Sequence, residues 1–302
     1  MTRWPVGNAP CSWGTIENTG TEDARVDPMR FLDELAETGY AGTELGDLGF
    51  LPTDPDRLAE ALSSRDLTLI ASWVTVRLDD PEYTDRNVQR ALEIARLVRA
   101  VGGDDAVLNL GPDHSRVPDR TRYAGRILPA HALGERELDQ YAEGAHRVAR
   151  AVRDETGLRC AFHAHGASYV ETPAEIEAFL DRTDPALVGL CFDTGHVALG
   201  GGDPAPDLER YGDRIELVHL KDFSPEVVAE AELHGWGYPE MVRQGVFPEL
   251  GQGIVDFPAV LERLRAQDYH GWLVVEQDVL PGLGSPKQSA ARNRSYLKEL
   301  GL

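Results

Sequence analysis

Residues 187–196 have the sequence LVGLCFDTGH, an apolar run that ends in a carboxylate, Asp193, with an imidazole, His196, three residues further on. The length and composition of the run predict a buried strand. A carboxylate at the mouth of such a strand is costly to desolvate unless it is paired, hydrogen-bonded or bound to a metal. The role of Asp193 therefore depends on which other strands end in the same way.

Short apolar segments alternate along the chain with segments of helical period, a pattern typical of a parallel sheet wrapped by helices. Strands are predicted at residues 6–13, 41–45, 67–74, 106–110, 158–163, 187–192, 215–220 and 272–275. Helices are predicted to open at Asp27-Pro28 and Asp54-Pro55, and to lie near residues 85–100, 135–155, 173–181, 206–211, 257–265 and 286–300. Eight such units in 302 residues predict an α/β fold, a (β/α)8 TIM barrel, with a single domain over residues 1–302. A GxGxxG dinucleotide fingerprint opening a helix is missing.

Composition excludes several classes of partner. A formal net charge of −21 argues against nucleic acid, whose binders are usually basic on at least one face. No apolar run approaches the roughly 20 residues of a membrane span, and the opening MTRWP lacks the apolar region of a signal peptide, so a cytoplasmic location is expected. Cys11, Cys160 and Cys191 lack the spacing of a zinc site or a disulfide framework and are expected to be reduced.

A barrel of this type builds its active site from the carboxyl ends of its strands and the loops that follow them. Polar side chains stand at these ends from strand two to strand eight: Glu44, Asn109, His163, His165, Asp193, His196, His219, Lys221 and Glu276. Strands five to eight thus deliver imidazole, carboxylate, imidazole and carboxylate to one rim. This donor set suits a divalent metal that prefers oxygen and nitrogen, and without a rim thiolate Mn, Co, Mg and Fe are as open as Zn.

Each of these residues also has a purely structural interpretation. A single histidine at a strand end is more often a hydrogen-bonded structural residue than a ligand, whereas four coordinating side chains in register on consecutive strands favour a metal. Trp13 and Trp73 suit either the barrel core or the apolar wall of a sugar pocket. His234 suits either a lid contact or the surface. These three residues and Asn109 are the candidate substrate-binding residues.

Six segments then carry a family resemblance: GTELG at 42–46, FHAHG at 162–166, FDTGH at 192–196, HLKD at 219–222, GIVDF at 253–257 and GWLVVEQD at 271–278. In order and spacing the chain resembles the xylose isomerase-like barrel superfamily of sugar isomerases and epimerases, and within it the inosose dehydratase branch. The resemblance implies a divalent metal, manganese or cobalt first, held by Asp193, His219, Glu276 and a strand-five residue. Most of the superfamily has glutamate at that last position, and this chain has His163, as in the dehydratase branch.

The resemblance implies a metal-dependent lyase that removes water from a polyhydroxylated cyclic ketone such as 2-keto-myo-inositol, a reaction of inositol catabolism. Glu44, His165 and His196 are candidates for base and acid, with His163 open to the same role, and Lys221 is expected to stabilise a developing enolate. The small-molecule partner is accordingly a polyol or keto-sugar. A homo-oligomer is expected from family analogy alone.

Two other classes of function stay open. One is a sugar isomerase or epimerase that acts through an enediolate. It is disfavoured in its two-carboxylate form, because tagatose 3-epimerase-like members use facing strand-five and strand-eight glutamates and only Glu276 remains here. The other is a non-catalytic sugar-binding protein. The loop at 247–253, FPELGQG, departs from the Pro-Gly-Asp-Gly turn usual in the dehydratase branch, which leaves the substrate open.

Overall fold

Eight parallel strands close into a barrel in the computed structural model, which describes residues 4–14, 26–113, 116–279 and 284–302. The strands follow chain order around the barrel: β1 (Val6–Asn8), β2 (Gly42–Glu44), β3 (Thr68–Val76), β4 (Val107–Pro112), β5 (Arg159–His163), β6 (Val188–Asp193), β7 (Ile215–Leu220) and β8 (Leu273–Val275). Pairing of β1 with β8, Val6 opposite Leu273 and Asn8 opposite Val275, completes the closure. The predicted (β/α)8 barrel is confirmed.

Helices follow the strands: α1 (Pro28–Glu37), α2 (Pro55–Ser63), α3 (Thr84–Gly102), α4 (Pro118–Tyr123), α5 (Glu135–Thr156), α6 (Pro173–Leu180), α7 (Thr194–Leu199), α8 (Pro204–Tyr211), α9 (Pro225–His234), α10 (Tyr238–Arg243), α11 (Phe257–Ala266) and α12 (Pro286–Glu299). The Asp-Pro pairs open α1 and α2 as predicted. In each pair the Asp side chain accepts from backbone N–H groups of the first turn, and proline needs no hydrogen-bond partner there. In the described part of the chain, no helix has both the length and the apolar character that crossing a membrane requires.

The elements differ from the sequence prediction in two ways. The first strand stops at Asn8, not at residue 13, because Pro10 has no N–H to donate and opens a 3₁₀ turn, Pro10–Trp13. Helices α4, α7, α9 and α10 lie in segments that were predicted as loops or left unassigned. Helices α4, α7 and α10 have six residues each, fewer than two turns, and α9 has ten residues but buries only Ala231, so none of the four shows an apolar stripe of helical period.

The barrel interior and the barrel rim have opposite chemistry. Small and branched apolar side chains fill the interior: Ala9, Ile70, Ala71, Val107, Ala161, Cys191, Leu217 and Val274. Above them, the strand register brings the polar ends together, with His163 opposite Cys191 and Asp193 opposite His219. The packed interior thus forms a floor beneath the polar rim.

Candidate metal and active site

Four side chains on β5 to β8 converge at the rim, and we call them the ligand cluster: His163, Asp193, His219 and Glu276. One ligand atom from each lies within 4.8 Å of the other three. Asp193 Oδ2 is 3.6 Å from His163 Nε2 and 3.7 Å from His219 Nδ1, and Glu276 Oε1 is 3.1 Å from His219 Nδ1. A single ion with bonds of about 2.0–2.3 Å could reach all four atoms.

Several inward atoms of the cluster lack the hydrogen bonds that buried polar atoms normally make. Among the described residues, Asp193 Oδ2, His219 Nδ1 and both ring nitrogens of His163 make no hydrogen bond, although they lie close to one another and to Glu276. The opposite atoms are occupied: Asp193 Oδ1 accepts from the backbone N–H of His196, and His219 Nε2 lies 2.8 Å from Glu44 Oε1. This arrangement of unpartnered inward atoms and held outer atoms fits a divalent metal.

The electrostatics of the cluster also favour a cation. Burial by itself would raise the pKa of Glu276, but the charges of His219 and Lys221 lower it below the usual range. Burial would lower the pKa of His219, yet the acidic groups around it, Glu276 and Glu44 among them, raise it well above its usual value. The carboxylates thus remain ionised and attract positive charge.

Cys191 forms a second group of possible ligand atoms with His163 and His219. Burial above all raises the pKa of its thiol to about 12, so the sulfur is protonated near neutral pH, whereas a metal ligand must be a thiolate. The oxygen and nitrogen set of the ligand cluster is therefore the better metal site.

Gly166 fixes the protonation pattern of the two histidines beside the cluster. Its carbonyl oxygen lies 2.6 Å from His165 Nδ1, and because a carbonyl only accepts, that nitrogen must carry the proton. Its N–H donates to His196 Nδ1 at 3.1 Å, so that nitrogen is unprotonated. In its neutral form His165 therefore has its lone pair at Nε2, whereas neutral His196 carries its N–H at Nε2.

The two rings lie close together in buried surroundings. Their centroids are 3.9 Å apart. Burial first, and then the neighbouring His165, hold the pKa of His196 well below its usual range. His196 is therefore neutral near pH 7 and serves as a hydrogen-bond donor at Nε2.

Lys221 is the cation beside the ligand cluster. Its Nζ lies 2.9 Å from Glu276 Oε2, 3.5 Å from Asp278 Oδ2 and 3.5 Å from His196 Nε2. Burial would lower its pKa, but Asp278 and Glu276 raise it well above the usual value, so Lys221 stays charged. The ring of Phe247 lies over the ammonium group, 4.7 Å from Nζ.

Trp13 and Trp73, each of which suited either the core or the pocket wall by sequence, have different surroundings in the structure. Trp73 is half-buried and lies edge-on to His163 and His165, at centroid distances of 5.3 and 5.9 Å. Gly111 makes this position available, since a Cβ there would lie 1.9 Å from the Trp73 ring. Trp13 instead packs in the core against Phe31 and donates its indole N–H to Glu34.

Two other predicted residues are placed differently from expectation. Glu44 does not stand free as an acid or base: it is buried, and its Oε1 lies against Nε2 of His219, so it holds the ring of a candidate ligand. His234 lies at the end of α9 with 56% of its side chain exposed, paired with Glu230 and stacked on Trp236, and the described contacts do not bring it to the cluster.

Asn109 is buried within β4, which continues to Pro112, two residues past the predicted end at residue 110. Within the described ranges, neither its amide oxygen nor its amide nitrogen has a hydrogen-bond partner. Its role as a substrate contact stays a prediction.

Sequence reasoning missed Tyr238 and named Phe247 only as part of the 247–253 loop; both side chains cover the histidines. The Tyr238 hydroxyl is 3.5 Å from His165 Nε2, and the Phe247 ring is 4.9 Å from that of His196. Both follow β7 in a stretch without helical period. The one available signal was the cluster of aromatic and glycine residues at 235–238, GWGY.

The chain is similar to a known protein family and to several known proteins. The family model described as xylose isomerase-like TIM barrel matches residues 32–300. The chain is 31% identical over 296 residues to inosose dehydratase of Geobacillus kaustophilus, covering 98% of this chain and 94% of that one. It is 30% identical over 295 residues to inosose dehydratase of Bacillus cereus, covering 97% and 96%. A solved structure of the probable 3-DHS dehydratase of Bacillus anthracis superposes with a TM-score of 0.70 at 12% identity, covering 97% of this chain and 98% of that one, which supports the fold alone.

Proposed function

The chain belongs to the xylose isomerase-like TIM barrel family, and we propose that it is a divalent-metal-dependent dehydratase that removes water from a polyhydroxylated cyclic ketone such as 2-keto-myo-inositol. The names of the relatives at about 30% identity support the reaction and the substrate class. Metal dependence is proposed from one observation. Buried ligand atoms that make no hydrogen bond converge in the ligand cluster.

His163, Asp193, His219 and Glu276 would hold the ion, with manganese or cobalt as the first candidates and Mg, Fe or Zn as alternatives. A bound divalent ion supplies Lewis acidity, which polarises a carbonyl oxygen and acidifies the neighbouring carbon-bound proton. The remaining work falls to side chains that the structure places around the cluster.

His165 is the base in this proposal. Its Nε2 carries the lone pair, because Nδ1 is protonated against the Gly166 carbonyl. Nε2 removes the carbon-bound proton, and the carbon–hydrogen electrons pass into an enolate with its negative charge on the carbonyl oxygen. When the carbonyl re-forms, that electron pair makes the new carbon–carbon double bond and the carbon–oxygen bond to the β-hydroxyl breaks. The proton on His165 then leaves with that hydroxyl as water. A neutral imidazole suits this role because it accepts and returns a proton near neutral pH.

His196 and Lys221 stabilise charge in this proposal. The Nε2–H of His196 donates to a substrate oxygen, and Lys221, charged and 3.5 Å from that nitrogen, stabilises the developing enolate. Tyr238 and Phe247 lie against these groups and exclude water. A two-carboxylate epimerase is disfavoured, because the strand-five position holds His163 and Glu276 is paired with Lys221.

The direct test uses purified protein stripped with a chelator, reloaded with Mn²⁺ and incubated with 2-keto-myo-inositol. We expect ultraviolet absorbance from a conjugated dione product and a product mass lower by one water. Chelator and Asp193→Ala should both abolish the reaction, while His270→Ala, at an exposed histidine at the opposite end of the barrel, should not. An unchanged mass with a rearranged sugar would move the protein to the isomerases.

The two histidines should differ as their tautomers do. His165→Ala removes the base, so we expect kcat to fall by about 10²–10⁴-fold. His196→Ala removes a donor to substrate, so we expect a smaller loss that includes a higher KM. Steady-state kinetics of both Mn²⁺-loaded variants check this, and a His165→Ala enzyme with wild-type kcat would refute the assignment of the base.

A further inference from the structure

A buried carboxylate outside the ligand cluster contacts the peptide group that fixes His165. Glu171, in the loop between β5 and α6, accepts from the backbone N–H of Ala167 through Oε2 at 2.7 Å. That N–H belongs to the same peptide unit as the Gly166 carbonyl, which accepts from His165 Nδ1 at 2.6 Å. Glu171, one peptide group and His165 thus form a continuous hydrogen-bonded chain.

The backbone of this turn needs external support. Ala167 has φ +69°, a left-handed conformation that a residue with a Cβ adopts at a cost of about 1 kcal/mol. The bond from Ala167 to Glu171 compensates that cost and fixes the plane of the Gly166–Ala167 peptide. A peptide whose N–H points at a carboxylate also has a more polarised carbonyl, which is a stronger acceptor for the Nδ1 proton.

The second oxygen of Glu171 reaches a different loop. Oε1 accepts from the backbone N–H of Gly125 at 2.6 Å, just after α4. The next residue, Arg126, donates to the carbonyl of Trp236 at 2.7 Å, two residues before Tyr238. A single carboxylate therefore ties the turn that carries His165 to the segment that supports Tyr238.

From this geometry we propose that Glu171 is a positioning residue that holds His165 in its Nδ1–H tautomer through the Gly166–Ala167 peptide, and so keeps the Nε2 lone pair directed at the substrate. The importance of that tautomer for turnover rests on the proposed function. The hydrogen-bonded chain from Glu171 to His165 is independent of that function.

The charges around Glu171 come from two elements. Arg120 on α4 lies nearby and forms a bidentate pair with Glu175 on α6, at 2.7 and 2.8 Å, and Glu175 is the neighbouring acid. Burial, only partly offset by the Gly125 bond and by Arg120, raises the pKa of Glu171 to about 7. Ionised Glu171 accepts both N–H groups with charged oxygens, whereas protonation removes the charge and makes the hydroxyl oxygen a weaker acceptor.

The test compares the wild type with Glu171→Gln, which keeps the shape and removes the charge. The matched control is Asp207→Asn, on the unrelated helix α8. Like Glu171, Asp207 is buried and accepts a backbone N–H, in this case that of Asp203. Nitrogen-15 spectra of the histidine rings, recorded at pH 8 on diamagnetic Mg²⁺-loaded protein, report which nitrogen of His165 is protonated.

We expect the Nδ1–H tautomer of His165 in the wild type and in Asp207→Asn, and a mixture of tautomers in Glu171→Gln. On an active substrate, kcat of Glu171→Gln should fall roughly tenfold with little change in KM, the range seen when a supporting hydrogen-bond partner is lost. An unchanged Nδ1–H tautomer in Glu171→Gln would overturn the proposal, whatever the kinetics.

The spectra are informative even if 2-keto-myo-inositol is not turned over, so failure of the proposed function would not be confused with failure of this inference. If Glu171→Gln does not fold, Glu171→Asp provides the second variant. It keeps the charge but is one methylene too short to reach both N–H groups, and the same tautomer criterion applies.

Discussion

In Asp193 and in His219, one polar atom faces the centre of the ligand cluster and the other is held by the protein. Asp193 caps α7 with Oδ1 and turns Oδ2 inward, and His219 turns Nδ1 inward while Nε2 is held by Glu44. Such outer hydrogen bonds fix ring orientation and raise ligand basicity. The residues behind the ligands should therefore matter to metal affinity almost as much as the ligands do.

Glu44→Gln tests that expectation at one atom. The amide oxygen still accepts from His219 Nε2, but its lost charge makes the ring a weaker ligand, so we expect the Kd for Mn²⁺ to rise about tenfold. Calorimetric titration of the metal-free protein measures it. Glu34→Gln is the matched control, because Glu34 accepts the indole N–H of Trp13 in the core. Equal Mn²⁺ affinity in both variants would contradict the supporting role of Glu44.

Glu171 gives a signed prediction for stability against pH. Its pKa is raised from 4.5 to about 7 by burial, so the folded state holds the proton more tightly than the unfolded chain. The contribution of Glu171 to the free energy of unfolding is therefore full below about pH 4.5 and falls as pH rises to about 7. Relative to Glu171→Gln, which does not titrate, the wild type should lose at most about 1.4 kcal/mol per pH unit in this window. Urea unfolding of both proteins at pH 5, 6, 7 and 8 measures this. If the stability of the wild type relative to Glu171→Gln increased with pH, the prediction would have the wrong sign.

At the scale of elements, the strands that carry the ligand cluster were predictable, whereas the end of β1 and the covering helices were not. The bounds predicted for β7 match the structure, and those of β5 and β6 differ by about one residue at an end, because buried parallel strands are continuous apolar runs with polar ends. Strand order then brought the ligand cluster together. Tyr238 lies on the short helix α10, whose placement depends on tertiary contacts such as that of Arg126 with Trp236. The single-residue environments of Glu44 and Glu171 likewise depend on loops far away in sequence.

The side chain of Asp222 anchors the loop at 247–253 to the end of β7, and Gln277 and Asn293 add single hydrogen bonds to Phe247 and Leu250. Asp222 Oδ2 accepts from Gly251 and Gly253, each at 2.8 Å, and its Oδ1 accepts from Phe223 at 2.8 Å and Val255 at 3.1 Å. A Cβ on Gly253 would lie 2.3 Å from Asp222 Oδ1, so only glycine allows this approach. Although the loop differs from the usual dehydratase turn, its anchor to the HLKD segment is complete.

Asp222→Asn should loosen this loop, because the amide nitrogen would face N–H donors that the carboxylate accepts. We expect a loss of about 1–3 kcal/mol in the free energy of unfolding, and a higher KM because Phe247 lies on the same loop. Urea denaturation and kinetics measure the two effects. In the control Asp256→Asn, an exposed N-cap of α11, asparagine caps as well as aspartate and little should change. Equal stability loss in both variants would contradict the role given to Asp222.

At the scale of the whole molecule, the ligand cluster joins β5, β6, β7 and β8, half of the closed barrel. In the unfolded chain these ligands are far apart in sequence, so a divalent ion should bind the folded state almost exclusively. A chain with a net charge of −21 also gains from neutralisation of two carboxylates at the barrel rim, buried Asp193 and half-buried Glu276. Metal binding and folding should therefore be coupled.

That coupling predicts a metal-dependent melting temperature. At a free Mn²⁺ concentration of 100 times Kd, binding to the folded state adds about 2.7 kcal/mol to the free energy of unfolding, or roughly 5 °C in Tm for a chain of this size. Chelator should remove the whole shift, and Asp193→Asn should melt at the same temperature with and without Mn²⁺. His270→Ala, which changes an exposed histidine at the opposite end of the barrel, should keep the wild-type shift. A wild-type Tm that does not respond to Mn²⁺, Co²⁺ or Zn²⁺ would mean that the unpartnered atoms of the cluster serve something other than a metal.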